Sequence, residues 1–419
     1  MSKFTALQRE AILRRISDVP LQSVFKFIDN SELTLDECVE NGLVINDIPI
    51  NQFEKWIKQS LLDLDKLADL GLNLSLVEEI RKSIERSEEL QENYDLINDD
   101  MMIIQDIQKH LRSGGVTEEG LLEKTTIDKE LLNEIKGYEK KEHPSQNNDV
   151  ALIKGTDIFF FGKASSGKTC VLASIFNYAE RKGLFIDNMV SIHGINYKNL
   201  IVNELKNSIL PDSTPAEKKA VTYISTELIL DGEANPLNFV EMSGEFFSKA
   251  AQDPKEINNT IDAHGYLSNS NKKLLFFIVD YKMYSDNEKS SVSSQANDFN
   301  NLVGILDGYK KALQNAYCVY IVVNKSDKFP KGTVDKNDFA KSFFMKNFKS
   351  VYTNLKQKEK KHNFDLRILH YSIGNLIFKN SYLSSINYDC PKNIIQSISQ
   401  QAYRKNEDSV IGKFFKSKE

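Results

Sequence analysis

The chain has 419 residues, 41% of them hydrophobic and 27% charged, a balance that admits two or three folded domains and excludes a disordered or fibrous protein. A formal net charge of -5 gives no overall field that would recruit nucleic acid or an anionic membrane. Cys38, Cys170, Cys318 and Cys390 form no CxxC pair, which argues against a zinc site or disulfide framework and for a reduced, cytoplasmic setting.

Met-Ser-Lys-Phe-Thr leads into a charged amphipathic helix, with no visible export signal and no apolar run long enough to cross a bilayer. From Leu7 to about Tyr138 the periodicity is helical: Phe53, Trp56, Ile57, Leu61, Leu64 and Leu67 recur at three- and four-residue steps, as do Ile80, Ile84, Ile103, Ile104 and Ile107. Thr34-Leu-Asp-Glu37 has capping-box spacing, and Gly71, Gly114 and Gly115 punctuate the runs. Leu33–Val39 and Val116–Leu122 are faintly alike, too little to define a repeat. His110 and Trp56 read as structural and the acidic stretch Glu78–Glu92 as a solvated helix face. Residues 1–140 are therefore expected to be an all-α adaptor or sensor region that binds a protein partner. Residues 141–152 are polar and without period, which predicts a linker ahead of a second domain over 153–405, with 406–419 as a tail.

Asp157–Phe161 reads as a buried parallel strand, and Val171, Leu172, Ile175 and Phe176 give the next helix one apolar face. Between them Gly162-Lys-Ala-Ser-Ser-Gly-Lys-Thr169 fits the phosphate-loop pattern GxxxxGK[ST]. There the backbone N–H groups around Gly162, Ala164, Ser165, Ser166, Gly167 and Cys170 surround phosphate, Lys168 reaches the outer phosphates and the Thr169 hydroxyl binds Mg²⁺. Tyr197–Leu210 carries helix signals. In Pro211–Pro215, Thr214, with Ser213 close behind, is the candidate to complete the Mg²⁺ shell; an ordinary helix cap is the competing reading. Val221–Leu230 and Leu237–Met242 predict an antiparallel pair around a turn formed by Asp231-Gly232 with Asn235-Pro236.

The remaining strands all end in polar residues. Leu274–Val279 ends in Asp280, which could serve as the Mg²⁺-directing acid of an ATPase. Tyr317–Val323 runs into Asn324-Lys-Ser-Asp327, and Leu366–Tyr371 into Ser372-Ile-Gly374, before a closing helix over Pro391–Tyr403.

In this order the motifs resemble those of P-loop GTPases of the Ras-like, translation-factor-related class, in a divergent bacterial-type form similar to the GTPases of NTP-dependent conflict systems. Asn324–Asp327 matches NKxD, whose carboxylate, here Asp327, accepts from guanine N1–H and the exocyclic amine; Asn324 would tie the loops together and the Lys325 stem would cover a base face. Glu241-Met-Ser-Gly-Glu245 resembles the DxxG switch motif, with glutamate where aspartate is usual. Glu241 would then hold Mg²⁺ through water, Gly244 would sense the γ-phosphate, and Glu245 would orient the attacking water. Ser372 and Ile373 stand in the last motif, usually Ser-Ala-Lys, and the missing lysine leaves the base contact to the backbone.

The resemblance implies a mostly parallel six-stranded sheet flanked by helices, with one antiparallel pair, binding GTP or GDP with Mg²⁺. It also implies slow hydrolysis without a partner, since no arginine is obviously placed to neutralise developing charge; a homodimer across the nucleotide face would be one way to supply it. An ATPase using Asp280 and a non-hydrolysing nucleotide-binding scaffold are the alternatives.

Overall fold

The computed structural model describes residues 4–138, 153–211, 221–244, 247–249, 261–285, 289–308, 312–379 and 381–402. The chain divides into two compact units, Met1–Tyr138 and Glu139–Glu419. The linker at 141–152 and the tail at 406–419 lie outside the described residues.

The first unit is helical throughout: α1 (Ala6–Leu13), α2 (Leu21–Asp29), α3 (Leu35–Glu40), α4 (Ile50–Lys58), α5 (Lys66–Asp69), α6 (Leu74–Asn98), α7 (Ile104–Ser113), α8 (Glu118–Lys124) and α9 (Lys129–Gly137). Thr34 makes the expected capping box with Glu37. Trp56 is fully buried and donates from Nε1 to Asp29 Oδ1 at 2.8 Å, a structural role. Glu78, Glu79, Glu85, Glu88, Glu89 and Glu92 are all exposed on α6.

A repeat is present, though not between the two segments compared above. Helix α2 ends with Ser31 in the left-handed region, and the Glu32 N–H returns to the Phe27 carbonyl; α3 ends at Gly42, and the Leu43 N–H returns to Cys38. The same two turns recur at Ser60, with Leu61 returning to Trp56, and at Gly71, with Leu72 returning to Leu67. Both pairs of turns are 29 residues apart. Each is a helix stop in which a left-handed residue lets the next N–H satisfy a carbonyl of the last turn. Cys38 and Leu67, then Leu43 and Leu72, fill corresponding places in the core.

The second unit is a three-layer α/β sandwich. Its strands are β1 (Thr156–Phe161), β2 (Phe185–Asp187), β3 (Val221–Leu230), β4 (Glu233–Met242), β5 (Lys272–Asp280), β6 (Ala316–Asn324) and β7 (Asp365–His370), in the spatial order β2-β3-β4-β1-β5-β6-β7. β1 pairs in parallel with β4 and β5, β5 with β6, and β6 with β7. β3 runs against both of its neighbours.

The sheet thus has seven strands where six were expected. The extra one, β2, has three residues and a half-exposed side-chain pattern, too short to show a period. The hairpin also differs: the turn is Asp231-Gly232 alone, both at positive φ, and Asn235 and Pro236 belong to β4. Pro236 is tolerated because β1 begins pairing only at Leu237, so its missing N–H breaks no bond in that ladder. A small hairpin, β8 (Gly374–Ile377) with β9 (Tyr382–Ile386), follows the last strand of the large sheet.

Alternation along β1 distributes the core. Phe159 and Phe161 face the layer formed by α14 (Lys289–Gly308), α15 (Lys336–Asn347) and α16 (Lys349–His362), which supply Phe299, Phe344 and Val351. Ile158 and Phe160 face α10 (Lys168–Lys182), α11 (Ile192–Lys206) and α17 (Asp389–Ala402), which supply Phe176, Ile201 and Ile395. Two shorter helices, α12 (Ile261–Ser268) and α13 (Lys282–Ser285), flank β5. Among the described residues no helix is long and apolar enough to cross a membrane.

Candidate functional site

Phosphate loop, Glu241, Asp280, Asn324 and the Ser372 turn all fall at the carboxyl edge of the parallel strands, because each follows or ends one of β1, β4, β5, β6 and β7. Backbone groups left unpaired where strands stop make this edge the place where an α/β sheet accepts a ligand.

The phosphate loop joins β1 to α10, a helix of 15 residues. Ser165 and Gly167 have φ of 61° and 85°, which turns successive N–H groups toward one side in the manner of an anion-binding nest. A Cβ on Gly167 would lie 2.4 Å from Asn324 Nδ2, so glycine is required there both for conformation and for space. The Lys168 ammonium donates to the carbonyls of Gly162 at 2.9 Å and Lys163 at 3.0 Å, holding it across the loop. The Ser166 hydroxyl is buried and has no hydrogen-bond partner among the described residues. Converging N–H groups, an ammonium and an orphan hydroxyl make a cradle with donors in excess, which fits a phosphate.

On the next strand, Glu241 is fully buried. Its Oε1 accepts from the Thr169 hydroxyl at 2.6 Å and its Oε2 from the Tyr197 hydroxyl at 2.9 Å. A hydroxyl and a carboxylate oxygen beside a phosphate cradle are hard donors of the kind Mg²⁺ takes, one or two from protein and the rest from water and phosphate. No group of three or more His, Cys, Asp or Glu that could hold a metal ion is found among the described residues. Gly244 stands directly against the loop, where an added Cβ would fall 1.9 Å from the Ala164 nitrogen. Thr214, Ser213 and Glu245 lie outside the described residues.

The NKSD turn meets the same loop. Asn324 donates from Nδ2 to the Ser166 carbonyl at 2.8 Å, and Lys325 Nζ reaches the Ser165 carbonyl at 3.1 Å. Lys325 has a φ of 63°, which reverses the chain after β6 and begins the 3-10 turn carrying Asp327. The Asp327 carboxylate is partly exposed and accepts from the Ser372 hydroxyl at 3.2 Å. Ser372 is in turn fixed by the Gly374 N–H, which donates to its oxygen at 3.2 Å. Ile373 is buried, and Cys170 is the third residue of α10.

Asp280 does not reach Thr169. It pairs with Asn324 across the β5–β6 ladder, its Oδ2 lies 2.6 Å from Lys325 Nζ, and its Oδ1 accepts the Lys282 N–H at 2.9 Å. The acid beside the Thr169 hydroxyl is Glu241, and Asp280 is the counter-ion of Lys325 in the NKSD turn. Two further participants were not legible as motifs. Tyr197 belongs to α11, and Lys163, inside the phosphate loop, reaches Ser294 Oγ at 2.5 Å and Asp298 Oδ2 at 3.5 Å on α14.

No protein-family model matches the chain, and no curated protein matches it in sequence. Among solved structures it is similar to Toc33 from Arabidopsis thaliana in complex with GDP and Mg²⁺, at 12% identity and a TM-score of 0.32 over 60% of this chain and 85% of that one. It is similar to the signal recognition particle receptor SRb-GTP/SRX complex from Chaetomium thermophilum, at 15% identity and 0.31, over 52% and 94%. A third is Roco2 RocCORdC of Methanosarcina barkeri bound to GDP, at 11% and 0.28, over 62% and 52%. Overlaps this loose carry nothing about function from those proteins to this one. By its strand order and the position of its phosphate loop, the second unit has a P-loop GTPase fold.

Proposed function

We propose that the chain is a GTP-binding protein that hydrolyses GTP slowly to GDP and phosphate and acts as a nucleotide-dependent switch, its helical unit binding a protein partner. The observation that supports this most is the bond from Asn324 to the Ser166 carbonyl, which brings a guanine-type carboxylate motif and a phosphate loop to one edge of the sheet. In this reading Lys168 and the loop N–H groups bind the phosphates, and Asp327 accepts from the guanine edge while the Ser372 hydroxyl orients it. Thr169 and Glu241, with Thr214 as a further candidate, hold Mg²⁺. Bound there, the ion would neutralise charge developing on the phosphate oxygens. Gly244 offers its N–H to the γ-phosphate and Glu245 orients water. The missing cation is assigned to a second copy across the nucleotide face, so turnover per molecule is expected to rise with protein concentration.

Single-turnover cleavage of GTP, wild type beside Lys168→Ala, tests the reading. Slow cleavage lost in the variant is the expected result; no cleavage above buffer by wild type would leave a nucleotide-binding scaffold.

A further inference from the structure

Helix α11 lies between α10 and β3 in the chain, where the sequence shows helix signals but no motif, and it is fixed from three directions. Gly194 packs so close to β3 that a Cβ would fall 2.1 Å from the Tyr223 carbonyl oxygen. The Ser191 hydroxyl donates to that same carbonyl at 3.1 Å. Lys198, almost fully buried, lies 2.5 Å from Asp187 on β2 and 3.2 Å from Glu180 on α10. A helix held this way delivers the next side chain to a fixed point, and the buried Tyr197 hydroxyl arrives 2.9 Å from Glu241 Oε2.

The chemistry at that point gives the contact its meaning. Glutamate has one methylene and one torsion more than the aspartate usual in this motif, so its carboxylate can swing where the shorter side chain cannot. Thr169 bonds Oε1 and Tyr197 bonds Oε2, so the two hydroxyls grip opposite oxygens of one carboxylate and leave it a single orientation. We infer that Tyr197 is a positioning residue for the divalent-cation side of the nucleotide site, and that helix α11 exists in part to carry it. The inference rests on reading Thr169 and Glu241 as the oxygens that serve Mg²⁺. Partners that orient a metal's protein oxygens typically change metal affinity by roughly 10- to 100-fold when removed.

The test is titration of a fluorescent GDP analogue over a range of Mg²⁺ concentrations, with an EDTA baseline, for wild type, Thr169→Ala, Tyr197→Phe, Glu241→Gln and the Tyr197→Phe, Glu241→Gln double variant. Wild type should bind more tightly with Mg²⁺, and Thr169→Ala should lose that response. Tyr197→Phe should raise the Mg²⁺ midpoint roughly tenfold while leaving the EDTA affinity unchanged. The change should vanish in the Glu241→Gln background, because the two residues act as one unit. If Thr169→Ala keeps the full Mg²⁺ response, the metal reading of the site is wrong and the inference falls with it. If Thr169→Ala loses the response while Tyr197→Phe keeps a wild-type midpoint, or shifts it equally with and without Glu241, the site reading stands and the positioning role is overturned.

Discussion

Asn324 and Ser166 are 158 positions apart in sequence, yet the asparagine side chain donates to the serine carbonyl at 2.8 Å across the end of β5. One amide therefore joins the turn proposed to read a base to the loop proposed to hold phosphates. Neither is a free-standing element, and their spacing is set by the parallel ladder β1-β5-β6 beneath them.

Replacing Asn324 by alanine should remove that strut and leave the Ser166 carbonyl without this buried donor. The expected loss is about 1–3 kcal/mol of unfolding free energy, together with weaker binding of any nucleotide that needs both loops. Urea denaturation with and without GDP measures both; a wild-type midpoint in each condition would mean the two loops hold their spacing without the strut.

Asp280 distinguishes the two nucleotide chemistries. Asp280→Asn keeps the size of the side chain but removes the charge facing Lys325, so guanine-nucleotide binding should weaken by roughly 1–2 kcal/mol with the Mg²⁺ midpoint unmoved. Glu241→Gln should shift that midpoint. If Asp280→Asn instead moves the Mg²⁺ midpoint as far as Glu241→Gln does, Asp280 is the metal-directing acid and the ATPase reading returns.

Asp327→Asn should turn base preference toward xanthine nucleotides, because the amide presents a donor to the xanthine O2 where the carboxylate accepted from guanine. Competition binding with GDP and XDP reads the change directly. Guanine affinity equal to wild type would remove Asp327 from base recognition.

Much of this site was legible because its polar residues end apolar runs. The run Ile158–Phe161 announces its own terminus at the phosphate loop, and Asn324 likewise closes β6 and opens the NKSD turn, so both motifs can be read straight from the chain. Tyr197 was not legible, since it meets Glu241 across 44 positions and on a helix with no motif of its own. The helical repeat was hidden for a different reason. What recurs is a backbone stop in the left-handed region, while the residues in equivalent core places match only in part, leucine at both 43 and 72 but cysteine at 38 and leucine at 67. Strand β2 is too short to show a period.

Acid should loosen the outer helical layer. At Asp307 on α14, burial works to raise the carboxyl's pKa, but hydrogen bonds from Lys358, Lys361 and His362 on α16 outweigh it and hold the group below the ordinary aspartate range. A depressed folded-state value means that the unfolded chain takes up the proton first. The contribution is therefore present above the unfolded value of about 3.9 and is lost as pH falls from there through the lower folded value. Asp307→Asn should lower stability at neutral pH and flatten the acid limb of the profile, as read by thermal melting between neutrality and about pH 2; an acid limb identical to wild type would rule the cluster out as its source.

Guanine selection, as proposed, belongs to Asp327 in the turn that Asn324 joins to the phosphate loop. Equilibrium titration of nucleotide-free protein with GTP and with ATP, at equal Mg²⁺, tests it most directly. GTP should bind tighter by about a hundredfold, the cost of leaving a carboxylate unpaired against adenine; equal affinities, or a preference for ATP, would contradict guanine selection by Asp327.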